Sequence, residues 1–160
     1  MLRGSVPHEL QVAVFGSDGD GYGSGSGYWR LLAARSVEGW SHGQRQRYAE
    51  ACKAAAAIAF WRSDKDGRPA NGGDGEAARP GLVQEIAGPL RLCGSGALHA
   101  TLKPEKWKGE RLWIVALYGE VLRDDSKMGA LKREVLGEVD NALHTVDVFK
   151  QKLKTVRGAK

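Results

Sequence analysis

LWIVAL, residues 112–117, is the run on which the reading of this chain turns. Six apolar residues in succession leave no wet face on a strand of period two. A strand that is apolar on both sides has to be covered on both sides, so this run belongs in the middle of a sheet. Trp113 inside it is a core residue on the same argument.

Working outward, Leu131–Val139 reads as a strand beside it, and IAFWR (58–62) as another, on its aromatic and β-branched content. Leu82–Ile86 and Leu90–Cys93 read as two short strands around a Gly88-Pro89 turn. Further upstream, Ser41 followed three residues later by Gln44 has the form of a capping box. The helix it opens carries Tyr48, Cys52, Ala55, Ala56 and Ala59 on one face, and the alanines let it lie close to a sheet. YWRLLAARS (28–36) fits either a strand or a short helix. Asn141–Leu153 returns to helical spacing through Leu143, Val146, Phe149 and Leu153. The order predicts an α+β fold: one domain, a mainly antiparallel sheet, an early helix and a C-terminal helix.

A chain of 160 residues has the size of one domain. Six of its 22 glycines lie in GSDGDGYGSGSG (16–27), which cannot bury enough apolar surface to offset the entropy of ordering it. Residues 1–27 therefore read as a flexible arm ending in a linker, and residues 28–160 as the domain. The linker has no lysine and no strand-to-helix context, so it is not a phosphate loop. The net charge of +5 is concentrated in a tail holding Lys150, Lys152, Lys154, Arg157 and Lys160, which suits an acidic partner or nucleic acid. Two cysteines make no disulfide framework, which points to a reducing cytoplasm. No leader pattern and no long apolar span is visible, so no membrane is expected. The four histidines and two cysteines have no metal-ligand spacing, and no metal is expected.

Three clusters carry chemistry. In LCGSGALHAT (92–101), Cys93 and His99 flank a glycine turn. A Cys–His pair can make a thiolate nucleophile, but no third group is present to orient the ring. Cys93 at a strand end reads as a small buried hydrophobe. His99 either pins a loop carbonyl or contacts a ligand, with Thr101 sharing its strand face. In the second cluster, Trp61, Trp107 and Trp113 stand among Arg62, Lys106, Lys108 and Arg111, an arrangement that can stack bases and hold phosphate. The third, DDSKMGALKREV (124–135), reads as a turn opened by Asp124 and Asp125, then Lys127, then the solvated face of an edge strand.

AFWRSDKDGRPANGG, PGLVQEIAGPLRLC, ALHAT, WKGERLWIVALYGEV and DDSKMGALKRE together span Ala59–Glu138. This run resembles a family of uncharacterised small proteins of bacteriophages and prophages, in which a cysteine is followed by a glycine and then Leu or an aromatic, His and Ala. Here the gap from Cys93 to His99 is one residue longer than in that pattern. The resemblance implies a phage or prophage setting in the host cytoplasm and brings no activity with it. More weakly, the order of glycine turn, LHAT and apolar strand is similar to the second half of ADP-ribosyltransferase domains. That likeness implies NAD as cofactor and a catalytic set of His99, Thr101 and Glu134, with Glu138 as the alternative acid and Arg30 or Arg62 upstream.

Three functions are therefore expected, in order. The first is a non-catalytic binding module for a host protein or other macromolecule, needing no cofactor. The second is a divergent NAD-dependent ADP-ribosyltransferase. The third is a nucleic-acid-binding protein. The ligand- or partner-binding candidates are Arg62, Asn71, His99, Trp107 and Lys127, with the loop at 69–73 as the opposite wall of a cleft.

Overall fold

The structure, a computed structural model, describes residues 26–70 and 75–139. Asn71, most of the glycine-rich tract, the Asn141–Leu153 segment and the basic tail lie outside the described residues. Two helices come first, α1 (Ser26–Gly39) and α2 (His42–Lys53). Strands follow: β1 (Ala57–Ser63), β2 (Val83–Glu85), β3 (Leu98–Ala100), β4 (Arg111–Tyr118), β5 (Leu122–Arg123), β6 (Met128–Ala130) and β7 (Lys132–Glu138). The fold is α+β with two antiparallel sheets, ordered β1-β4-β7-β2 and β3-β6-β5. Among the described residues no helix is long and apolar enough to cross a membrane.

Alternation along β4 decides the layering. Leu112, Ile114 and Ala116 pack with Trp29, Ala33, Val37, Tyr48 and Ala51 of the helices. Trp113, Val115 and Leu117 point the other way, onto Ala100, Met128 and Ala130 of the small sheet. The large sheet is thus a middle layer between helices and a second sheet, which is why LWIVAL carries no polar residue. The two sheets are tied where the Phe60 and Thr101 backbones exchange two hydrogen bonds of 2.8 Å.

YWRLLAARS is helical because Trp29, Ala33 and Val37 recur every fourth residue and are all buried. Ser41 and Gln44 form the full capping box at 3.2 and 3.1 Å. The helix stops earlier than its alanines suggest. Ala55 takes φ 59°, and the Ala56 amide donates back to Ala51, so Ala55 and Ala56 form a left-handed C-terminal turn and Ala59 lies on β1. Ala55→Gly should therefore stabilise the protein by about 1 kcal/mol, since alanine is held in a region that glycine enters without penalty. A urea titration reads this directly, and no gain would show that the turn carries no strain.

Two strand readings are corrected. Leu90–Cys93 forms no strand, because its backbone is used locally: the Arg91 amide donates to Gly96 and the Leu92 carbonyl accepts from the His99 ring. β7 is not an edge strand, since β2 covers its outer side. Arg133 and Glu134 are accordingly buried.

Candidate functional site

Arg62 organises the site from beneath. It sits near the end of β1, is only 6% exposed, and donates through Nε to the Pro104 carbonyl at 2.8 Å and through Nη1 to the Gly109 carbonyl at 3.1 Å. Those two bonds staple down the segment Pro104–Gly109, which carries Lys106, Trp107 and Lys108. The Trp107 indole N–H donates to the Ser126 carbonyl at 3.0 Å, so the ring is held in one orientation. The same carbonyl accepts from the Thr101 hydroxyl at 2.7 Å. Asp124 shapes the neighbouring turn by accepting from the amides of Ser126 and Lys127 at 3.0 and 2.9 Å, and this turn presents Lys127.

Between these elements lies a cleft of about 760 Å³. Arg62, His99, Trp107 and Lys127, four of the residues singled out from sequence, all line it. Trp61, Lys106 and Lys108 line it as well. Pro69 and Ala70 form part of its wall, next to the undescribed Asn71. Among the described residues that line it there are four cations and no carboxylate. Lys106 lies 3.9 Å from exposed Asp125, a separation at which an exposed pair is weak. Among the described residues, neither Lys108 nor Lys127 has an ion-pair partner.

His99 lies on the strand that leaves the glycine turn, half-buried, with Nε2 2.6 Å from the Leu92 carbonyl. A carbonyl only accepts, so Nε2 carries the proton, and that nitrogen is not available as a base or a metal ligand. Thr101 is fully buried, and its hydroxyl is committed to Ser126. Cys93 is exposed, not a buried hydrophobe, and both cysteines are free.

Glu134 is elsewhere. Successive residues of a strand face opposite ways. Arg133 faces the cleft side, donating to the His99 carbonyl at 2.7 Å and lying 4.6 Å from the Trp61 ring centroid. Glu134 faces the helices, accepting from Arg47 at 3.2 Å and from the Tyr118 hydroxyl at 2.9 Å. Burial, together with this carboxylate, pushes the Tyr118 phenol up to about 12. Glu138 grips Arg111 with two hydrogen bonds of 2.8 Å, and Arg30 lies on α1. Neither lines the cleft. The set of His99, Thr101 and Glu134 is therefore not assembled around one cavity.

Arg133 is the residue that sequence reasoning missed. Placed on a supposed edge strand it looked like a solvated charge. It is 5% exposed, and its other partner is the Gln84 amide oxygen at 2.7 Å. Among the described residues its Nε has no hydrogen-bond partner and no carboxylate compensates it. Burial pushes its guanidinium down to about 10.

No family model matches this chain, and comparison finds no similar curated protein and no similar solved structure.

Proposed function

We propose that this protein is a non-catalytic binding module that holds an anionic region of a macromolecule in the cleft beside His99. The observation that carries the reading is the lining itself: among the described residues, four cations, no carboxylate and two tryptophans. Such a surface attracts anions, and its low-dielectric walls focus the field. The enzyme reading would need an acid next to His99, and Glu134 stands on the other face of the sheet. The bacteriophage setting, with a host macromolecule as partner, rests on the motif resemblance alone.

Heparin, a generic polyanion, provides the test. The wild-type chain should be retained on immobilised heparin, and a Lys108→Glu/Lys127→Glu variant should elute at clearly lower salt. Lys108 is exposed and Lys127 half-buried, and neither has an ion-pair partner among the described residues, so the fold should survive, as circular dichroism would verify. Equal elution of the two proteins would sink the reading. Release of nicotinamide from NAD, lost on Glu134→Gln, would put the transferase reading in its place.

A further inference from the structure

The cleft offers two things that a simple anion does not need. One is a fixed aromatic plane. The Trp107 indole is partly exposed, its N–H is used by Ser126, and Lys106 and Lys108 flank it in sequence. The other is a charge set into the protein behind the cleft. Arg133 lies against Trp61 and holds the backbone of His99, and both of these residues line the cleft. A guanidinium buried without a carboxylate is costly to the fold. Its field falls on the nearest accessible space, and an anion there would offset the cost.

We infer that the cleft is a subsite for single-stranded nucleic acid, with a base stacked on Trp107 and the adjoining phosphates held by Lys106, Lys108 and Lys127. The inference rests on the anion-binding reading above and names its ligand. A volume of about 760 Å³ suits a nucleotide or two, and a concave site of this kind admits a splayed base but not an intact duplex. An acidic peptide would satisfy the lysines and leave the ring without a matching partner. Stacking on a tryptophan flanked by cations is how sequence-tolerant single-strand binders gain affinity.

The test uses the full chain and a fluorescein-labelled oligothymidylate of about ten nucleotides at low salt, read by anisotropy. Binding should weaken steeply as salt rises, because each neutralised phosphate releases a counterion. Trp107→Leu should weaken it about ten-fold or more, the loss expected for one stacked base. Trp107→Phe should bind close to wild type, because it keeps a stacking face. Both variants lose the indole bond to Ser126, so a merely structural role for Trp107 would weaken both alike, and that outcome would overturn the inference. A duplex of the same sequence binding as tightly as the single strand would also overturn it. Heparin retained through Lys108 and Lys127, with no oligothymidylate binding, would remove the nucleic-acid assignment and leave the anion-binding reading standing. Loss of neither ligand on Lys108→Glu/Lys127→Glu would remove both.

Discussion

Phe60→Ala is expected to destabilise the protein by about 3–5 kcal/mol, the range for truncating a fully buried aromatic. Phe60 has no exposed surface, stands opposite Ile114 on β4, and meets Trp29 of α1 edge-on at 5.8 Å. It therefore joins the helical layer to the middle sheet, and its backbone carries the two bonds that tie that sheet to the residue after β3. Removing the ring leaves those backbone bonds in place and opens a cavity between α1 and the sheet. The pocket cannot collapse readily, because Ile114 and Leu112 are held in a four-stranded ladder from both sides. Urea denaturation should show a lower midpoint with an unchanged slope, the mark of lost stability without a change in the surface exposed. A cost below about 1 kcal/mol would mean that α1 does not seal this face.

Gly109→Ala is expected to cost about 2–5 kcal/mol and to weaken binding in the cleft as well. Gly109 holds φ +146°, and an added Cβ would lie 2.6 Å from the Arg62 Cβ and 2.9 Å from the Ser63 carbonyl oxygen. Both contacts are with the body of β1, not with a flexible side-chain tip, so the Pro104–Gly109 segment would have to move away. That movement breaks the Arg62 bond to the Gly109 carbonyl and displaces Lys106, Trp107 and Lys108. Gly119 is the control. It also has positive φ, +80°, but nothing lies within 4 Å of its would-be Cβ. Gly119→Ala should cost only about 1–2 kcal/mol, the price of the backbone conformation alone, with binding unchanged. Equal costs for the two substitutions would show that the segment is not clamped against β1.

Much of the fold was legible because the relevant signals are local and periodic. LWIVAL announces cover on both faces whatever covers them. Ser41 and Gln44 are three residues apart and make their capping box without outside help. IAFWR declares a strand through side chains that fit a pleated surface. The site was partly legible for the same reason. Arg62, Trp107 and Lys127 each stand in a short run whose composition suggests contact with an anion, and the glycine turn before His99 places that ring near a loop carbonyl. Where the chain stops being helical was not legible. Ala54–Ala57 has high helix propensity, and only the demand that Ala57 enter the sheet turns Ala55 left-handed.

The sequence by itself determined that residues 112–117 would be covered on both faces, that Ser41 would start a helix, and that the chain would be α+β. Periodicity and capping act within a few residues, so one strand or one turn is enough to read them. Residues 131–139 were expected beside 112–117 and do pair with them, but only the tertiary structure decided what lies on the far side of each. Placing β2 outside β7 turned a charged strand inward, sent Arg133 under Trp61 towards the cleft, and sent Glu134 to Arg47 and Tyr118 on the opposite face. Neighbouring residues of one strand always point apart, but which direction is the cleft and which the helical core depends on contacts made by residues far away in the chain. That is why the lysines and tryptophans of the candidate site could be named in advance, while the buried arginine behind them and the dispersal of the supposed catalytic set could not.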